Sequence, residues 1–360
     1  MASALSGGGD ALDRGDVNQQ GLEAFFSGQA LTAGSSGWLA ESYVANQDQL
    51  DGIVNYESVL LTLNENGELQ EPLVLIYPRE GIITADYPLM LLNADKREAY
   101  DRLVTYLRSP EFQEEMMKTT LRRPVVPGIT LDPRIPDPLL VELPFPSNLE
   151  TIDALLFSFL DETRAPPHAF FVLDVSGSME GDRLDDLKSA MDNLTGLDQS
   201  LTGRFSRFRN RELITLIPFS TAVEDVADFA VDDVAADSAD MAHVREYVSR
   251  LEAGGDTAIY SALATAYDLA AAAKAEDPDR YYSVVLMTDG ELTAGLEPRE
   301  FTRYYNSLPQ EIRDIPTFTV LFGGANQGEM EDIADLTGGR MFDAKADSLG
   351  LVFKEIRGYQ

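Results

Sequence analysis

The second half of the chain carries four short, largely apolar runs, at residues 169–173, 213–217, 284–287 and 318–322, with Thr215 and Thr319 inside two of them. Each is too short for a buried helix and too continuous for a strand with one wet face, so buried parallel strands are predicted. Between them apolar residues recur at helical spacing. Leu184, Leu187, Met191 and Leu194 mark one face; Met241, Val244, Val248 and Leu251 mark a second; Ile259, Leu263, Ala266 and Ala270 mark a third. Strands alternating with helices predict an α/β domain on a doubly wound, mostly parallel sheet over residues 166–360. Ligands of such sheets sit at the carboxyl ends of the strands.

The first part of the chain is less regular. The apolar runs 59–63 and 73–77 read as strands, and Asn64-Glu65-Asn66-Gly67 between them as a turn. Tyr100, Leu103, Val104 and Leu107 follow helical spacing. These elements predict a smaller α/β lobe over residues 19–125. Residues 1–18, rich in Gly, Ser and Asp, read as a disordered start. Prolines crowd residues 124–146, a pattern that fits a linker or an extended segment wrapped on the surface. A helical stretch at 149–163 follows, so residues 126–165 are expected to be a Pro-rich linker and helix.

Charge changes the picture more than length does. Among 360 residues, 61 are acidic and 28 basic, a net charge of −33, which disfavours nucleic acid and anionic membrane surfaces as partners. Lysine occurs at Lys96, Lys118, Lys188, Lys274, Lys345 and Lys354, and every other basic side chain apart from histidine is Arg. Such a surface suits a high-salt milieu, and a GC-rich genome would produce the same skew. There is no Cys, so disulfides, thiolate nucleophiles and zinc–thiolate sites are excluded. No signal-peptide pattern and no apolar run of spanning length is present, so the chain as written reads as soluble.

The candidate chemistry sits where the first buried run ends, in Asp174-Val175-Ser176-Gly177-Ser178-Met179. Alternate positions carry a carboxylate and two hydroxyls, which a tight loop points to one side. Gly254-Gly255-Asp256-Thr257 precedes the third helical pattern, and Thr288-Asp289-Gly290-Glu291 follows the third run. Oxygen ligands drawn from three loops suit a hard cation such as Mg²⁺. Few direct carboxylates would leave the metal electrophilic and open to an outside carboxylate.

Residues 168–360 therefore resemble a von Willebrand factor type A (VWA) domain, and Asp174, Ser176, Ser178, Thr257 and Asp289 match its metal-ion-dependent adhesion site (MIDAS). The resemblance implies that Ser176 and Ser178 ligate Mg²⁺ (or Ca²⁺ or Mn²⁺) directly. It implies that Thr257 does so directly or through water, and that Asp174 and Asp289 act largely through water. It also implies a protein partner that presents an acidic side chain. Asp256 departs from the Gly-Gly-Thr run frequent in the family; it either adds charge beside the metal or points to solvent. Asp256 and Glu291 are possible modulators, and Glu180, Asp182 and Glu291 read as solvated carboxylates of an acidic rim.

The bland alternative is that the first loop only caps the next helix and that Asp289-Gly290 is an ordinary turn. Three such loops in order after buried strands weigh against it. An enzyme is not expected: there is no nucleophile elbow, and the Gly pairs 323–324 and 338–339 lack a phosphate-loop Lys. His168 and His243 are not placed to activate a serine. A metal-assisted hydrolase would need Asp256 or Glu291 as its base.

Residues 20–125 are similar to the later portion of a bacterial extracellular solute-binding domain. The residues that carry this are Gly34-Ser35-Ser36-Gly37-Trp38-Leu39, Tyr56-Glu57-Ser58-Val59-Leu60, Tyr77-Pro78-Arg79-Glu80-Gly81 and Ala85-Asp86-Tyr87-Pro88-Leu89. The resemblance implies one lobe of two: either a lobe reduced to a scaffold or, the favoured reading, a shortened product, whose missing front would then be the place for an export signal, with an extracytoplasmic or envelope-associated site of action. A small-solute receptor, with the VWA domain relaying occupancy, is the alternative function. Trp38 and Tyr87 read as core residues rather than ligand contacts.

Overall fold

The computed structural model describes residues 2–5, 12–85, 87–146, 148–344 and 348–359. Two compact units emerge, one from Met1–Leu22 and Ser35–Leu155, the other from Glu23–Gly34 and Leu156–Gln360. Of the start read as disordered, residues 1 and 6–11 lie outside the described residues, as does Asp86 of the solute-binding resemblance; Arg14–Asp16 forms one 3₁₀ turn.

The first unit contains the helices Ser36–Ala45, Glu57–Asn66, Arg97–Leu107 and Pro110–Thr120. The expectation of a strand at 59–63 is overturned, because those residues lie inside a helix that Gly67 ends in the left-handed conformation, φ 77°. A short apolar run cannot by itself separate a strand from a buried helical turn. Residues 73–77 lie in no helix and pair with no strand among the described residues. Their period of two still holds: Leu75 packs toward Leu61, Met117, Leu121 and Ile135, while Val74 and Ile76 are each 86% exposed. In the Pro-rich tract Ile135 and Leu143 are buried. Tyr87 is not a core residue: it is exposed, with the Arg122 guanidinium 5.4 Å over its ring.

The second unit is a six-stranded sheet in the order β3-β2-β1-β4-β5-β6. The strands are β1 (Pro167–Asp174), β2 (Leu213–Phe219), β3 (Ala227–Ala230), β4 (Tyr281–Thr288), β5 (Thr317–Leu321) and β6 (Arg340–Asp343). All neighbours run parallel except β3, which lies antiparallel on β2. The α/β class and the doubly wound, mostly parallel sheet therefore stand, and the four apolar runs supply its central strands. The chain winds outward from β1 to β2 on one side and from β4 to β5 and β6 on the other. The direction of winding thus reverses between β1 and β4, the position at which open α/β sheets form a crevice beyond the strand ends.

Both faces of the sheet are buried, which is why residues 169–173 of β1 are all apolar. Phe170, Val172, Ile217, Phe219, Val284 and Leu286 pack on the helix Ile259–Glu276. From the opposite face Phe171 meets Phe208 and Phe353. The helix Asp182–Asp192 leaves the first motif loop with Leu184, Leu187 and Met191 buried, as its spacing predicts.

His168, at the start of β1, is buried against Phe170, stacked at 4.3 Å between ring centroids, and near Tyr282. Its Nε2 lies 2.9 Å from the Thr215 hydroxyl, which donates to Asp228. Burial pushes the imidazole down from 6.5 to about 4, against the pull of Asp228. At neutral pH the ring is uncharged in both folded and unfolded chains. As pH falls through about 6.5, only the unfolded chain gains the proton, so this site destabilises the fold until the folded imidazole titrates near 4. Unfolding in urea is expected to take about 2 kcal/mol less at pH ~5 than at pH ~7.5 on account of this ring. His168→Phe should lack that part of the loss; an equal loss in the variant would show that His168 does not cause it.

Candidate metal centre

The site is assembled at the carboxyl ends of β1 and β4. Asp174 closes β1 and is wholly buried. Its Oδ1 accepts the Ser176 amide at 2.7 Å, and its Oδ2 accepts the Thr288 hydroxyl at 2.5 Å. Thr288 can reach it because Leu173 pairs with Met287 in the β1–β4 register, which sets the next residues side by side. No ion pair holds Asp174 among the described residues, and burial raises its pKa above the usual carboxylate value, opposed by the bonds from Thr288 and Ser176. A buried carboxylate held only by neutral donors is a position that a cation would stabilise.

The two loop serines converge. Their hydroxyl oxygens lie 3.1 Å apart, and Ser178 donates to Asp289 Oδ1 at 2.6 Å. Asp289 follows β4 and is 2% exposed. Thr257 belongs to the same cluster: a Cβ placed on Gly290 would lie 3.2 Å from both the Ser178 and the Thr257 hydroxyl. The glycine lets those two oxygens close in around the third loop.

Backbone bonds lock the loops in this arrangement. The Gly177 amide donates to Gly255 O at 3.0 Å, and the Gly254 amide to Val175 O at 2.8 Å. Gly255 has φ 81°, and a Cβ there would come within 2.8 Å of the Thr221 hydroxyl. Only glycine fits both the sign of that angle and the space. The Thr257 amide donates to the Thr293 hydroxyl at 2.8 Å, fixing the second loop against the segment after β4. Thr288, Thr293 and Thr221 carry no signal of their own in the sequence; Thr288 alone stands in a motif already noted.

All five predicted residues are thus brought to one place. Of the possible modulators, Asp256 is exposed, its amide donating to the Thr221 hydroxyl at 3.0 Å, and Glu291 is exposed. Glu180 and Asp182 are exposed too, so the rim is acidic. His243 is exposed, and His168 lies at the opposite end of β1. One residue was not foreseen. Arg183 donates through Nη1 to the Ser178 carbonyl at 3.1 Å and forms an ion pair with Asp289 Oδ2.

The donor set is oxygen only, and no group of three or more His, Cys, Asp or Glu side chains suited to a metal occurs among the described residues. Two carboxylates and three hydroxyls fit a hard, partly hydrated cation rather than a soft or imidazole-bound one.

Residues 169–291 match the family model of the von Willebrand factor type A domain, and residues 11–120 match that of the bacterial extracellular solute-binding protein. The second unit therefore holds a VWA domain, and the first holds a solute-binding-like region. A von Willebrand factor type A structure from Catenulispora acidiphila shares 19% identity, with 54% of this chain and 43% of that one covered and a TM-score of 0.40. Proximal thread matrix protein 1 from the mussel byssus shares 18% identity over 53% of this chain and 47% of its own, TM-score 0.39. The same mussel protein with a zinc-occupied MIDAS motif shares 19% over 53% and 47%, TM-score 0.39. This chain spans about half the length of these solved structures. No curated protein sequence matches it. No helix among the described residues is long and apolar enough to cross a membrane.

Proposed function

We propose that the second unit is a non-enzymatic, divalent-cation-dependent protein-binding module. The observation that carries this reading is the gathering of Asp174, Ser176, Ser178, Thr257 and Asp289 from three loops at the switch point of the sheet. Ser176 and Ser178 hold the cation directly, Thr257 directly or through water, and the two aspartates through water. Mg²⁺ suits such a set, with Mn²⁺ and Ca²⁺ as substitutes. The bound ion supplies an open coordination position that a partner's Asp or Glu side chain fills. The protein's own part is to present hydroxyls rather than carboxylates to the ion, which leaves its charge undiminished for the partner.

Catalysis is not part of the reading: Asp256 and Glu291, the acids considered for a general base, are both exposed. The solute-binding-like first unit supports work outside the cytoplasmic membrane. A second reading, a small-solute receptor, draws on one cleft of ≈ 460 Å³ in that unit, lined by Glu41, Ser58, Thr62, Asn66 and Arg122 among others.

The open position is tested with Mn²⁺ as a probe. The Mn²⁺-loaded protein should relax water protons strongly, and acetate should lower that relaxation by displacing a coordinated water, while acetamide should not. Equal effects of acetate and acetamide would remove the carboxylate-capture reading.

A further inference from the structure

Arg183 is the second residue of the helix that leaves the first motif loop. Its ion pair with Asp289 Oδ2 and the Ser178 hydroxyl on Oδ1 together engage both oxygens of that carboxylate. The contact is accommodated on its far side as well. Gly323, after β5, has φ 50°, and a Cβ there would lie 2.8 Å from Asp289 Cβ and 3.2 Å from Arg183 Nε. The loop thus carries no side chain where the guanidinium and the carboxylate meet. The Asp289 side chain is fully buried, whereas that of Arg183 is 43% exposed.

A guanidinium keeps its charge at every pH the fold survives. A dication held by Ser176, Ser178 and Thr257, with Asp289 acting through water, would stand within a few ångströms of that charge. The two cations would repel, and both would draw on Asp289. Arg183 can leave, because it is long, partly in solvent and anchored otherwise only by the Ser178 carbonyl among the bonds described.

We infer that Arg183 is a resident competitor of the metal: it holds Asp289 in the metal-free protein, is displaced when the cation enters, and thereby sets the cation affinity of the site. This rests on the metal reading given above. It also separates two jobs of Asp289, which is a partner of Arg183 in one state and of the hydrated ion in the other.

The test is calorimetric titration of Mg²⁺ into the full-length wild type, Arg183→Gln, Arg183→Ala and Arg183→Lys. Removing the charge should tighten Mg²⁺ binding at least about tenfold in both neutral variants, and Arg183→Lys, which keeps the charge, should stay within about threefold of wild type. Thermal unfolding without metal gives a second readout: the neutral variants should melt no higher than wild type in EDTA and gain more from Mg²⁺. Unchanged or weaker binding in both neutral variants overturns the competitor role and leaves the metal reading standing. Absence of binding in all four proteins, with Mn²⁺ as well as Mg²⁺, overturns both.

Discussion

Excess Mg²⁺ should raise the melting temperature of the wild-type second unit by roughly 5–10 °C over its value in EDTA, and Asp174→Asn should not respond. The size follows from mass action. A ligand present at about a hundredfold its dissociation constant stabilises the native state by about 2.7 kcal/mol, and a unit of this size shifts by roughly 2–4 °C per kcal/mol. The direction follows from the environment of Asp174. It is buried, is held by the neutral donors of Ser176 and Thr288, and has no ion pair among the described residues. Without the cation its charge opposes folding, so Asp174→Asn should melt in EDTA at or above the wild-type temperature. With Mg²⁺ the order should reverse. Ser178→Ala serves as a second variant whose fold is not at risk, because Ser178 is exposed; it too should lose the Mg²⁺ response. A wild type that melts identically in Mg²⁺ and EDTA would contradict the assignment.

A comparably large effect is expected far from the strand ends, at Arg357. Its guanidinium grips Glu212 in a fork, with 2.5 Å to Oε1 and 2.7 Å to Oε2, and the two side chains are 4% and 0% exposed. Glu212 Oε2 also accepts the Arg209 amide at 2.8 Å, so a neutral bond holds it beside the ion pair. Nearby, burial and the Arg357 charge push Arg164 down to about 10. Such a pair is worth little against an apolar replacement of both partners, but removing one partner strands the other. Arg357→Leu should therefore destabilise the second unit by about 3–5 kcal/mol in urea unfolding. Glu212→Gln added to it should restore part of that loss, since the stranded charge is gone. A loss under about 1 kcal/mol from Arg357→Leu alone would show that Glu212 finds water when its partner is removed.

The central sheet was legible because β1, β2, β4 and β5 are buried on both faces and so read as largely apolar runs, broken only by Thr215 in β2 and Thr319 in β5. β3 and β6 escaped notice for the opposite reason. Ala-Asp-Phe-Ala and Arg-Met-Phe-Asp are edge strands of four residues with partly exposed positions, too short to establish a period. The helix Glu57–Asn66 reads as a strand because Val59, Leu60 and Leu61 are consecutive and apolar; Gly67, which reads as part of a turn between two strands, is instead the stop signal of the helix. Tyr87 was assigned to a core on its aromatic character alone, although it lies exposed under Arg122.

The five site residues were legible because the chemistry demands oxygen side chains at fixed offsets after strand ends. The supporting contacts were not, because they depend on register and on side-chain reach. Thr288 meets Asp174 only through the β1–β4 pairing, and Thr293 meets Thr257 only once the segment after β4 folds back. Arg183 carried no signal beyond its position in the first turn of a helix. Its pairing with Asp289 joins residues 106 apart in the sequence.

Equilibrium dialysis of the full chain against Mg²⁺, with Asp174→Asn in parallel, addresses the metal centre most directly. The wild type should retain one ion per chain above background and the variant none. Equal retention by the two proteins, or none by either, would contradict the claim that these three loops form a cation site.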